Sequence, residues 1–206
     1  MAALTPYAAD SLTQAATHEL LRIARRAFDV GLQTGTGGNI SIRVGNRNEV
    51  VIKPSGVGLV ECNEDNLLVV DLDGNILKGH SKPSKDMGFH LAIYRARDDV
   101  GGIVHLHSPW ATAWASSGRE MPLPTVHARA KLKRIPLIPT APDGGAQRIE
   151  EVVAEFRDPE LRAALMANHG AIGVGRTLLA AQHIAELIEE TAQVAAMARL
   201  LAAAPG

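Results

Sequence analysis

The sequence predicts a layered mixed domain, α+β or α/β/α, in which hairpin strands are covered by amphipathic helices. Three observations lead there. Strand pairs are joined by tight polar turns, at residues 45–49 and at Asp73-Gly74, the signature of antiparallel hairpins rather than crossover units. Apolar residues at helical spacing bracket the chain at both ends. Between them helices and strands alternate irregularly, unlike the regular repeat of a doubly wound sheet, and no linker or internal repeat divides the 206 residues. That length suits one domain around one large core.

Charged residues make up 21% of the chain and nearly cancel to a net charge of -1, which argues against nucleic acid or an anionic membrane surface as partner. Apolar runs break well before the ~18 residues that span a bilayer. The first 20 residues lack a basic segment followed by an apolar block, so a cytoplasmic location is expected. A single cysteine, Cys62, excludes an intrachain disulfide framework and fits a reducing compartment. Glu61 and Glu64 beside it would raise its pKa and leave it quiet.

The first helix is predicted over residues 12–30, capped by Asp10 or Ser11, with Leu12, Ala15, Leu20, Ile23, Ala24 and Phe28 as its apolar stripe. The run Thr34-Gly-Thr-Gly-Gly-Asn-Ile-Ser41 then feeds a strand at 40–44, and 50–53 returns as its hairpin partner. The open N–H groups of this run, with Asn39 and Ser41 as added donors, suit an anion such as phosphate; a glycine-rich hairpin without a ligand is the plainer alternative. Lys53-Pro-Ser-Gly56 repeats the theme, a strand ending in a turn that exposes Ser55 and the Gly56 amide. Residues 67–72 and 75–77 form the second hairpin. Pro83 and Ser84 then start a helix with Asp86 in its first turn, where a carboxylate offsets the helix dipole. The same helix end offers Ser84, Lys85 and free amides to an anion. Met87, His90, Leu91 and Tyr94 share one helix face, which favours His90 as a core histidine over a ligand.

Gly101-Gly-Ile-Val-His-Leu-His-Ser108 organises the rest. Residues 103–106 read as a buried strand entering a helix over 108–117, and side chains two apart on a strand share a face, so His105 and His107 point together. Alone, such a pair is equally well read as surface or hydrogen-bonded histidines. A third, His169 in Ala167-Asn-His-Gly170, again borders an apolar run. Three imidazoles on rigid strands, with a fourth position open, are the pattern of a catalytic zinc site. After a loop at 118–124, Arg129, Lys131, Lys133 and Arg134 form a basic cluster, read as a solvated face or as a contact for a neighbouring subunit or anionic substrate. A polar helix over 147–156, an apolar run at 161–166, a strand at 171–174 and a long helix over 178–201, capped by Thr177, complete the prediction.

In order, Gly38-Asn-Ile-Ser41, Lys53-Pro-Ser-Gly56, Pro83-Ser-Lys-Asp86, His105-Leu-His107 and Asn168-His-Gly170 resemble the class II aldolase/adducin family over roughly residues 12–200. Each motif is weak alone; five in one order are specific. The resemblance implies a three-layer α/β/α fold around a mostly antiparallel sheet, and a homotetramer with active sites between subunits. It implies zinc, or another divalent transition metal, on His105, His107 and His169, and a substrate phosphate at Gly38, Asn39, Ser55, Gly56 and Ser84. It places Asp86 as general acid/base where the fuculose-phosphate aldolase branch has glutamate, the shorter side chain being equally able to ligate the metal. Lys85 adds a cation for a substrate carboxylate or phosphate. The implied substrate is a small phosphorylated sugar or sugar acid, cleaved at a C–C bond through an enediolate that zinc stabilises.

Departures from the family's branches narrow the reaction. Asp86 and the 101–108 run are similar to the ribulose-phosphate 4-epimerase branch, yet the aspartate expected two residues after His127 is Arg129, and that branch's tyrosine-bearing tail has no counterpart. Pro83-Ser-Lys-Asp86, and His105-Leu-His-Ser108 followed by Trp110, are similar to the 3-oxo-tetronate 4-phosphate decarboxylase branch. The tyrosine that protonates the leaving group in fuculose-phosphate aldolases has no evident match near His127. The expectation is a zinc-dependent carbon–carbon lyase, an aldolase first and a decarboxylase as the alternative. A 4-epimerase, a dehydratase and a metal-free adducin-like scaffold are remoter readings. The last helix and residues 129–134 are expected near subunit contacts.

Overall fold

The computed structural model describes residues 11–139 and 145–203. Asp10, the alternative cap of the first helix, and residues 141–144 of the loop before the polar helix lie outside the described residues. Helix α1 (Ser11–Asp29) leads to a hairpin of β1 (Asn39–Arg43) and β2 (Glu49–Ile52). A 3-10 turn at Leu59–Glu61 precedes the second hairpin, β3 (Leu68–Asp71) and β4 (Ile76–Lys78). Next come α2 (Met87–Ala96), β5 (Gly102–Leu106), α3 (Pro109–Ser116), α4 (Val126–Leu132) and the short β6 (Leu137–Ile138). Then follow α5 (Ala146–Phe156), β7 (Ala163–Met166), β8 (Gly170–Gly175) and α6 (Leu178–Ala203).

Local chemistry sets most of these boundaries. Asp71 Oδ1 accepts from the N–H groups of Asp73 and Asn75, at 3.0 and 2.8 Å, and so closes the β3–β4 turn. Thr177 Oγ1 accepts the Ala180 N–H at 3.1 Å and starts α6 where expected. Helix α2 begins later than predicted. Ser84 Oγ takes the Asp86 N–H at 3.2 Å and the Ser84 carbonyl takes the Met87 N–H at 3.2 Å. A serine side chain thus diverts the backbone into a turn, and Asp86 becomes the N-cap instead of a first-turn residue. Helix α4 was not foreseen; Thr125 Oγ1 caps it by accepting the Ala128 N–H at 3.0 Å. Arg129 and Lys131 of the basic cluster lie on it, and the two residues just past its end are paired within the chain, Lys133 with Glu160 and Arg134 with Glu155 and Asp158.

The strands form one sheet in the order β4-β3-β2-β1-β5-β8-β7-β6, antiparallel except between β6 and β7. Helices on both faces give the three layers that the motifs implied. On one side Leu20, Ile23 and Ala27 of α1 and Leu178 and Ala181 of α6 join a core with Ile40, Val104 and Leu106. On the other, Phe89 and Ile93 of α2 and Val152 and Phe156 of α5 share a core with Ile52, Ile103, Ile172 and Val174. Strand β5 is buried along its whole length, which is why it reads as an unbroken apolar run up to His105. Helices α3 and α4 pack with the rest of α6 around Trp114, whose Nε1–H donates to the Ala192 carbonyl at 2.8 Å.

Arg97 fastens the α2–β5 connection to the segment after α5. Its buried guanidinium holds Asp99 at 2.6 and 2.7 Å and donates to the carbonyls of Phe156, Asp158, Pro159 and Leu161. Arg97→Ala removes that donor from the Phe156, Pro159 and Leu161 carbonyls while Asp99 keeps Arg162 at 3.0 Å, and is expected to cost about 1–3 kcal/mol in urea unfolding. Arg25→Ala breaks only an exposed helical pair with Asp29 and should cost less than ~0.5 kcal/mol in the same assay.

Candidate metal centre

Strands β1, β5 and β8 are neighbours, and the three predicted histidines meet at one end of them. The His105 Nδ1–H donates to the Ala171 carbonyl on β8 at 3.0 Å, which sets the tautomer and leaves a lone pair on Nε2. His107 lies just past β5; its backbone N–H donates to Gln33 Oε1 at 2.7 Å, and its Nε2 stands 3.2 Å from His105 Nε2. His169 occupies the β7–β8 turn behind Asn168, whose φ of 56° is a left-handed backbone that asparagine tolerates. One ring nitrogen from each histidine falls within 4.8 Å of the others. Burial, the largest influence on each, pushes all three imidazole pKa values down and keeps the rings neutral. Among the described residues His169 Nδ1 is buried without a hydrogen-bond partner.

This donor set fits a divalent metal. Two nitrogens bound to one zinc at ~2.0–2.1 Å in tetrahedral geometry stand about 3.3 Å apart. The 3.2 Å between the Nε2 atoms of His105 and His107 matches that spacing, and a ring nitrogen of His169 lies within 4.8 Å as a third donor.

Asp86 stands beside the triad, its Oδ2 being 3.8 Å from His105 Nε2. Asn39 Nδ2 donates to the same Oδ2 at 2.9 Å and lies 3.3 Å from Ser84 Oγ. That contact orients the amide, so Asn39 Oδ1 accepts from the His90 Nε2–H at 2.5 Å. His90 Nδ1 then accepts from Ser41 Oγ–H at 2.7 Å, and Ser41 Oγ from the Tyr94 hydroxyl at 2.9 Å. A buried, one-directional hydrogen-bond chain therefore runs from Tyr94 to Asp86. His90 is the core histidine the sequence indicated, its pKa lowered to about 4 by burial. Burial opposes ionisation of Asp86, but His105, the Asn39 amide, His169 and His90 outweigh it and hold the carboxyl below its usual range.

The other predicted binding residues come from three adjoining loops. Gly38, at φ 64°, packs so closely on β5 that an added Cβ would stand 2.9 Å from the His105 carbonyl oxygen. The Ser55 N–H donates to the Lys82 carbonyl at 2.9 Å, joining the Ser55-Gly56 turn to the one bearing Ser84. Lys53 lies at their base, buried, with Nζ donating to the Thr36 and Pro54 carbonyls at 3.2 Å each. Lys85 is exposed. Sequence reasoning named Lys53 only as a motif member; its place at the end of an apolar strand was the signal that it would be buried. Gln33 and Arg148 were missed, since neither belongs to a motif. Arg148 Nη1 lies 3.7 Å from Asp86 Oδ1. Cys62 is quiet as expected, but burial, more than neighbouring carboxylates, raises its pKa to about 11.

Residues 18–196 match the family model described as the class II aldolase and adducin N-terminal domain. The L-fuculose phosphate aldolase of Methanococcus maripaludis is 35% identical over 174 residues, covering 84% of this chain and 92% of that protein. An L-ribulose-5-phosphate 4-epimerase of Salmonella paratyphi B is 36% identical over 179 residues, covering 82% and 78%. A solved L-fuculose 1-phosphate aldolase superposes with a TM-score of 0.85 at 28% identity, covering 96% of this chain and 91% of its own. This protein therefore belongs to the class II aldolase and adducin N-terminal domain family.

Proposed function

We propose that this protein is a metal-dependent lyase that cleaves a carbon–carbon bond in a phosphorylated sugar or sugar acid, aldolase-like in its reaction. The observation that carries the reading is the convergence of three neutral imidazoles beside an ionised carboxylate, Asp86, 3.8 Å from His105 Nε2. His105, His107 and His169 would hold the metal, and an all-imidazole set with an open position favours zinc. Once bound, the ion would supply Lewis-acid stabilisation of charge that develops on the substrate oxygens.

The chain's own residues do the rest. Asp86 moves the proton, and Asn39, itself held by His90, keeps its carboxylate anionic and aimed. Gly38, Ser55, Gly56 and Ser84 offer donors for the phosphate, whereas the amide of Asn39, expected among them, is committed to Asp86 and Ser84. Lys53 adds charge, because its ammonium has three N–H groups and two are taken by the Thr36 and Pro54 carbonyls. Anchoring the far end of the substrate fixes the reacting carbons. The relatives named as aldolases support this reading. The relative named as a 4-epimerase makes product identity the deciding measurement. A homotetramer belongs to the same proposal, with the exposed Met197, Leu200 and Leu201 of α6 near subunit contacts. No helix among the described residues is long and apolar enough to cross a membrane.

Zinc-loaded protein should release a ketone phosphate and an aldehyde from a ketose 1-phosphate panel, or CO2 from 3-oxo-tetronate 4-phosphates, by mass spectrometry. An isomeric product with an intact carbon skeleton would refute the lyase reading. His107→Ala is expected to lose both bound zinc and turnover; full metal-free activity would refute the metal centre. Asp86→Asn should keep its zinc and lose about 10²–10⁴-fold in kcat. Zinc loss in that variant would instead mark Asp86 as a ligand.

A further inference from the structure

Among the described residues Arg148 is the one cation next to Asp86 that neither the histidine triad nor the phosphate loops account for. Helix α5 seats its first turn on the first turn of α2. Gly88 permits the approach, since a Cβ there would stand 2.6 Å from Ile149 Cδ1. The packing delivers the preceding residue, Arg148, to the N-cap of α2, which is Asp86. The Arg148 side chain is only 16% exposed, yet among the described residues its single charged contact is Asp86 Oδ1 at 3.7 Å, too long for a hydrogen bond. Among the described residues its Nε is buried with no hydrogen-bond partner. A guanidinium carries five N–H donors and no acceptor. Leaving its donors buried and unmet is therefore costly unless an anion arrives.

Asp86 is not that anion in full, because its two oxygens face different ways. Oδ2 is taken by Asn39 and lies toward His105, on the side of Ser84 and the phosphate loops. Oδ1 is the oxygen nearest Arg148, so the guanidinium approaches the carboxylate at a different oxygen from Asn39 and His105. A planar fork of N–H donors matches a carboxylate in bidentate fashion. We infer that Arg148 is a specificity residue for a substrate carboxylate, so that the substrate is anionic at both ends, a phosphorylated sugar acid. The inference rests on the proposed lyase site and names its substrate class.

The test uses metal-free protein, so that direct chelation by zinc does not enter, and two probes: 3-phosphoglycerate, which carries phosphate and carboxylate, and glycerol 3-phosphate, which lacks the carboxylate. By calorimetry the unaltered protein should bind 3-phosphoglycerate about 10-fold or more tightly than glycerol 3-phosphate. Arg148→Met should remove that preference while leaving glycerol 3-phosphate affinity within about twofold, and Arg148→Lys should restore part of it. Equal loss of both probes would make Arg148 a phosphate or folding residue and overturn the inference. So would an unaltered protein that binds the two alike, or neither at millimolar concentration. Zinc titration of the same preparations keeps the two readings apart, since failure of the metal centre appears there and failure of the carboxylate site does not.

Discussion

The register between β1 and β5 is the constraint on which the site depends. Asn39 sits directly opposite His105 in that ladder, and Leu106 sits opposite Ala171 in the next one. Side chains alternate faces along a strand, so a slip of one residue would turn both Asn39 and His105 away from Asp86. The apolar residues forbid the slip. Ile40, Ile42, Val104 and Leu106 lie in the core under α1 and α6, while Ile103 packs in the core under α2. Exchanging the faces would bury an imidazole and an amide among α1 side chains with nothing to pair them. Hydrophobic burial, which is indifferent to chemistry, thus specifies the position of the groups of the candidate site.

Within that frame the buried polar groups behind the site are linked to one another. Tyr94, Ser41, His90 and Asn39 are all buried, and each hands one hydrogen bond to the next until the last reaches Asp86. A buried donor or acceptor left unpaired costs roughly 1–3 kcal/mol, so such a chain resists rearrangement and holds the carboxylate in one orientation. The covering helix α2 therefore does two things at once. Its apolar face closes the core through Phe89 and Ile93, and His90, between them in sequence, transmits rigidity to the amide that faces Asp86.

Much of this was legible in the sequence because it is local. His105 and His107 are two residues apart on a strand, and the hairpin turns and the cap at Thr177 are each written in a few consecutive residues. What escaped was set by contacts distant in sequence. Helix α4 spans seven residues, too short to show a period, and exists through one threonine cap and burial of Ala128 and Leu132. The start of α2 moved because the Ser84 hydroxyl competes for a backbone donor, a choice that composition does not reveal. Gln33, which holds the His107 backbone from 74 positions away, and Arg148, which reaches Asp86 only because α5 docks on α2, leave no local trace.

Asp86 is flanked by two buried nitrogens that the fold leaves unpaired, one on the His169 ring and one on the Arg148 guanidinium. They are of opposite kinds. A neutral imidazole with a free lone pair seeks a cation, whereas a guanidinium seeks an anion. A site that keeps both around one carboxylate is unsaturated toward both signs of charge, and neither nitrogen can be satisfied by the other. Folding tolerates the arrangement because the β1–β5–β8 register is held by two apolar cores. The two nitrogens sit where a cation and an anion together would complete the set, around the carboxylate proposed to move a proton.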